Sequence, residues 1–122
     1  MVGASKDITI KTSKIPMKVY LDDNRITPEG WARVYWPAEA IELLMTGNVE
    51  EISLDHDLGD AENAKKENRN EITGDDVIRW IQEQVVCNGF DPPTIHVHSD
   101  NASAAKKMRV GIESIYRHAN GN

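Results

Sequence analysis

The chain has 122 residues, enough for one domain with its own core and too few for two of ordinary size. Hydrophobic residues make up 39%, no apolar run reaches the roughly 20 residues of a membrane span, and the first seven residues lack a secretory-type apolar segment, so a soluble, cytoplasmic protein is expected. The single cysteine, Cys87, excludes an internal disulfide and a cysteine-based zinc site, and the net charge of −6 speaks against an extended nucleic-acid surface, though not against a small phosphate ester held through a cation.

Residues 1–16 read as a polar extension outside the core, partly disordered or carrying a short extra strand at Asp7–Thr12, and Pro16 separates it from the first core strand. That strand is Met17–Leu21, and it runs directly into Asp22-Asp23-Asn24-Arg25. Trp31–Tyr35 alternates and predicts a second strand at the sheet edge, with Trp31, Arg33 and Tyr35 on one face, where packing is favoured over a base-stacking platform. Pro37 suits the first turn of a helix whose buried stripe is Ala40, Ile41, Leu44 and Met45, with Gly47-Asn48 as its stop.

Ile52-Ser53-Leu54 closes a third strand and gives way abruptly to Asp55-His56-Asp57-Leu58-Gly59. Residues 60–71 mix charges of both signs without an apolar period and predict an exposed, mobile loop. Thr73 with Asp76 resembles a capping box opening a helix that buries Val77, Ile78, Ile81 and Val85, with Trp80 at its flank and Asn88-Gly89 at its end. Thr94–His98 is the fourth strand, and a last helix from Asp100 or Asn101 buries Ala105, Met108, Ile112 and Ile115 before a tail at 118–122. Strands alternating with helices predict a three-layer, doubly wound α/β domain over residues 17–117, with a mainly parallel four-stranded sheet in the order 2-1-3-4.

In that order the first and third strands are neighbours, and side chains just beyond their carboxyl ends converge. Asp22, Asp23 and Asp55 then meet, and three carboxylates at close range call for a cation; hard oxygen donors select Mg²⁺. Zinc stays open as the rival, because His-x-His and Asp-His-Asp are also ligand spacings. His96 and His98 lie two residues apart on one strand, so they share a face about 7 Å apart and could flank a phosphodiester as acid and base. His56 could serve as a further acid or base, or simply pair with a neighbouring carboxylate, and Arg25 could clamp a phosphate with its planar fork.

An acidic pair after the first strand, Asp55 after the third and Ser99 after the fourth resemble a response-regulator receiver, a shortened one that offers no fifth strand to carry the Lys such receivers use. A closer resemblance is to the cyclic-phosphate processing receiver-like domains. It rests on Leu21-Asp22-Asp23-Asn24-Arg25, Thr27-Pro28 with Gly30-Trp31, Ile52 through Gly59, Thr73-Gly74-Asp75-Asp76-Val77, and Ile95-His96-Val97-His98-Ser99 followed by Asn101. The resemblance implies a fold lacking the fifth strand and histidines that act on a cyclic phosphate. The expectation is a metal-assisted phosphoesterase for a cyclic phosphate of RNA ends or a small nucleotide. Asp22, Asp23 and Asp55 would hold Mg²⁺ or another divalent ion, His98 with His96 or His56 would move protons, and Arg25, Ser99 and Asn101 would position oxygens. The competing expectation is a diverged receiver that binds a partner or nucleotide without catalysis, switched by phosphorylation of Asp55.

Overall fold

A computed structural model describes residues 15–121, so the expected strand at Asp7–Thr12 lies outside the described residues. Four strands, β1 (Met17–Leu21), β2 (Ala32–Val34), β3 (Val49–Leu54) and β4 (Thr94–Val97), form one sheet in the order β2-β1-β3-β4. Every neighbouring pair is parallel, with Tyr20 opposite Arg33 on one side and Ser53 on the other, and Ser53 opposite His96. The helices are α1 (Pro37–Leu44), α2 (Ala61–Lys66), α3 (Asp75–Asn88) and α4 (Ala102–Ala119). This is a receiver-like α/β fold with the expected strand order.

Strand alternation sorts the sheet into two unlike faces. Val19, Leu21, Val34, Ile52, Leu54 and Ile95 join one hydrophobic core with Ala40 and Leu44 of α1, Val77, Ile78, Ile81 and Val85 of α3, and Met108, Ile112 and Ile115 of α4. The other face carries Lys18, Tyr20, Glu51, Ser53 and His96, whereas α1, α3 and α4 all pack in the core on the first. The reason is connectivity: right-handed crossovers running the same way along the sheet put α1 and α3 on the same side, whereas the oppositely directed β1-to-β2 connection is a loop, residues 22–31. The third layer is therefore missing from the described part of the fold.

The buried residues expected of α3 and α4 are those observed, and Thr73 and Asp76 do cap α3, the Thr73 hydroxyl accepting from the Asp75 N–H and the Asp76 carboxylate from the Thr73 N–H. In α1 the expectation fails by half. Ala40 and Leu44 are buried, but Ile41 is only half-buried and Met45 is 66% exposed, because the helix has already tightened into a turn and Leu43 packs on the core instead.

Residues 60–71 depart furthest from the sequence reading. They contain α2, which has Glu62 in its first turn and Lys65 and Lys66 in its last, an arrangement that favours the helix dipole. Asn68 takes a left-handed φ of 53°, and the Arg69 and Asn68 N–H groups return to the Ala64 and Lys65 carbonyls in a Schellman-type stop. Asp60 is buried, and Arg69 grips it with a fork of 2.7 and 2.9 Å while the Ile72 N–H donates at 2.8 Å. An antiparallel bridge between Asp57 and Thr73 closes the excursion at its base. The segment lacks an apolar period because its anchor is ionic.

That anchor carries a pH signature. The hydrogen bonds from Arg69 first, and from Ile72 second, outweigh burial and hold the Asp60 carboxyl at about 2 against an ordinary 3.8. A depressed carboxyl stabilises the fold fully above its unfolded value and stops doing so as the pH falls through the folded one. Chemical denaturation is expected to show stability draining away between about pH 4 and pH 2, and Arg69→Met is expected to flatten that part of the profile; an unchanged acid limb in the variant would assign the loss to other carboxylates.

Candidate active site

Asp22, Asp55 and His98 are each the first residue beyond a strand, and each is fastened by one last ladder bond. Their backbone N–H groups donate to Val34, Leu21 and Leu54, the final residues of the neighbouring strands, at 3.2, 3.0 and 3.0 Å. Three segments distant in the chain thus deliver their side chains to one rim with little freedom to shift. One donor atom from each residue lies within 4.8 Å of the others.

Asp22 is the centre of this group and has no exposed surface. Its Oδ1 accepts from the Asn24 and Arg25 N–H groups at 2.7 and 2.9 Å, which fixes the start of the loop as an Asx-type turn. Its Oδ2 lies 2.9 Å from His98 Nε2. Burial pushes the Asp22 carboxyl up, but the hydrogen bonds from Arg25, Asn24 and His98 overcome it and the net shift is downward. Asp22 is therefore ionised. An ionised carboxylate can only accept, so His98 carries its proton on Nε2, and its Nδ1, 2.7 Å from Ser53 Oγ, takes the hydroxyl proton. Burial lowers the His98 pKa more than the hydrogen bond and charge of Asp22 raise it, which favours the neutral ring.

Asp55 is half-buried. Its Oδ1 accepts from the His56 N–H at 2.8 Å, and its other oxygen has no hydrogen-bond partner among the described residues. Burial, and then the Asp22 charge, push its pKa up. An ionised, buried carboxylate with a second one beside it and an imidazole nitrogen facing both is a donor set that fits a divalent cation. The structure thus joins Asp22 to Asp55 as expected, but His98 stands in the group where the sequence reading put a third carboxylate. Asp23 is exposed, and its side chain lies against Gly59.

The other expected residues lie around this group or away from it. His56 Nδ1 lies 2.7 Å from Asp57 Oδ1, which leaves Nε2 as the ring nitrogen that Asp57 does not engage. His96 is exposed on the open sheet face and pairs with Glu51 at 2.9 Å, away from the rim group; Glu51 also meets Lys18. Arg25 reaches Asp22 at 3.5 Å through Nε and Asp100 at 2.7 Å through Nη2, bridging the loops after β1 and β4. Ser99 and Asn101 do local work, the Ser99 hydroxyl accepting from the Asn101 N–H and the Asn101 side chain capping α4 through Ala104.

Two residues of the site escaped the sequence reading. Ser53 touches His98 Nδ1, and the Tyr20 ring stacks on the His98 ring at 4.3 Å and 3°. Trp31 meets Tyr20 edge-on at 6.2 Å and so packs within the same row. The signal that could have found them was alternation: Ser53 and Tyr20 are the polar-capable positions between buried neighbours on their strands, which places both on the His96 and His98 face.

Among comparisons with known proteins, the model of the family described as cyclic-phosphate processing receiver domain matches residues 17–114. No curated protein and no solved structure matches the chain.

Proposed function

The chain belongs to the cyclic-phosphate processing receiver family, and from that premise we propose that it is a metal-assisted phosphoesterase that opens a cyclic phosphate on an RNA end or a small nucleotide. The observation that carries this reading is the convergence of Asp22, Asp55 and His98 at one rim. Asp22 and Asp55 would hold Mg²⁺ or another divalent ion, with Asp23 available through the same loop. When bound, the ion supplies Lewis acidity that draws charge from the phosphate oxygens.

The chain's own groups do the rest. Arg25 exchanges Asp100 for a phosphate oxygen, as its fork suits both anions. His56, whose Nδ1–H is engaged by Asp57, takes the proton of the attacking water on Nε2. The new P–O bond forms as one ring P–O bond breaks, the departing ribose oxygen takes a proton from solvent, and His56 returns its own to solvent, leaving a monoester. His98 stays at the rim beside Asp22 and Asp55 and moves no proton, and His96, paired with Glu51, takes no step.

Incubation with nucleoside 2′,3′-cyclic phosphates and a divalent ion, followed by ³¹P NMR, is expected to show conversion to the monoester. His56→Ala is expected to slow it by roughly 10²- to 10⁴-fold. No conversion with any such substrate or ion would remove the enzymatic reading.

A second reading, a diverged receiver without catalysis, is favoured by the unengaged oxygen of Asp55. Mass spectrometry after acetyl phosphate treatment separates the two: a stable adduct on Asp55 without cyclic-phosphate turnover supports the switch.

A further inference from the structure

We infer that Ser53 and Tyr20 hold His98 as the nitrogen ligand of a cation site completed by Asp22 and Asp55, and that this site takes Zn²⁺ in preference to Mg²⁺. The inference rests on the proposal that the rim binds a divalent ion, and it concerns which residues shape that ion's choice.

Three contacts from outside the donor group fix the imidazole. Its backbone is pinned to the Leu54 carbonyl at 3.0 Å, its ring lies flat on Tyr20 at 4.3 Å, and its rear nitrogen meets Ser53 Oγ at 2.7 Å. Together they aim Nε2 at the gap between two carboxylates. A nitrogen ligand is poorly suited to Mg²⁺, which prefers oxygen and near-octahedral water, and well suited to Zn²⁺, for which imidazole and carboxylate are ordinary partners.

The Ser53 hydroxyl adds something a fixed donor or acceptor would not. Where the Nε2 proton goes to Asp22 at 2.9 Å and the ring is neutral, Ser53 serves as the donor to Nδ1. With an ion on Nε2, the proton moves to Nδ1 and Ser53 must accept. A hydroxyl meets both demands by rotating about one bond, and the ring need not move. Ser53 is buried, so water cannot readily take over this duty. Ser53 and Tyr20 are positioning residues: they act through His98.

The test is metal binding by the full-length chain, measured by isothermal titration with Zn²⁺ and with Mg²⁺ separately, and by the visible absorption of Co²⁺ as a stand-in for Zn²⁺. Wild type is expected to bind Zn²⁺ more tightly. Ser53→Ala is expected to weaken Zn²⁺ by roughly 10- to 100-fold and to change the Co²⁺ bands, as loss of an outer partner to a metal-bound histidine does, while Mg²⁺ affinity stays put. Ser53→Thr, which keeps the hydroxyl, is expected to restore both, and His98→Ala to abolish the Zn²⁺ preference. Circular dichroism checks that each variant is folded. Equal Zn²⁺ affinity in wild type and a folded Ser53→Ala would overturn the inference. Mg²⁺ binding with no Zn²⁺ preference would overturn it and leave the phosphoesterase reading standing, whereas Zn²⁺ binding that depends on Ser53 without cyclic-phosphate turnover would do the reverse.

Discussion

Replacing Asp22 by Asn is expected to abolish divalent-ion binding and cyclic-phosphate turnover while leaving a folded protein. An Asn oxygen can still accept the Asn24 and Arg25 N–H groups, now at 2.7 and 2.9 Å, so the turn survives. The amide nitrogen, however, takes the place of the oxygen that faces His98 at 2.9 Å, and two donors cannot share that contact. His98 must move its proton to Nδ1 and donate to Ser53. Nitrogen-resolved NMR of the histidine rings should report the opposite tautomer from wild type. Loss of a direct ligand should weaken ion binding by more than the roughly 10- to 100-fold that an outer partner contributes. Asp22→Ala goes further, taking the buried carboxylate away from the two N–H groups and from His98 Nε2, and should cost about 2–3 kcal/mol in urea unfolding. An Asn variant that binds ions and turns over substrate like wild type would show that Asp22 is merely structural.

Gly74→Ala is expected to be the most damaging glycine-to-alanine change among the described residues. Gly74 has an ordinary helical φ of −61°, so its need for glycine is one of space. A Cβ there would lie 1.8 Å from the Asp55 carbonyl oxygen and 2.9 Å from its carbon, with Met108 at 3.4 Å behind. Backbone blocks it, so either α3 withdraws or the Asp55 turn does. Both options break the Gly74 N–H bond to the His56 carbonyl, at 3.0 Å, and strain the Asp57–Thr73 bridge. The loss of stability should reach or exceed the roughly 1–3 kcal/mol of ordinary overpacking, and ion binding should fall with it because Asp55 is displaced. Gly47→Ala is the comparison: a Cβ there meets nothing within 4 Å, but the backbone sits at φ +79°, which costs about 1 kcal/mol and touches no site residue. Similar losses for the two variants would show that the contact at Gly74 is not the determinant.

Most of the scaffold was legible because its signals are local and periodic. The α4 residues Ala105, Met108, Ile112 and Ile115 repeat at helical spacing and all face the core, and the ends of β1, β3 and β4 were marked by apolar residues breaking into carboxylates or imidazole. The topology that joins Asp22 to Asp55 came from strand order alone. What stayed hidden depends on register and on ionic contacts across the chain. The register sets Glu51 opposite Thr94 and Ser53 opposite His96, and each side chain reaches diagonally to the histidine two residues further along the same face, Glu51 to His96 and Ser53 to His98. Neither pairing leaves a trace in spacing. The Asp60 and Arg69 fork likewise turns a polar stretch into an ordered one, though its composition reads as solvated.

The bridge from Arg25 to Asp100 has a consequence for how an anion would enter. Asp100 is 97% exposed and Arg25 lies across the rim from it, so the carboxylate occupies the guanidinium as a placeholder in contact with bulk water. Exposed pairs of this kind are held weakly, and added salt loosens them further. A charged guest therefore meets a cationic fork that is already oriented and is surrendered at little cost, so capture should be quickest where counter-ions are few.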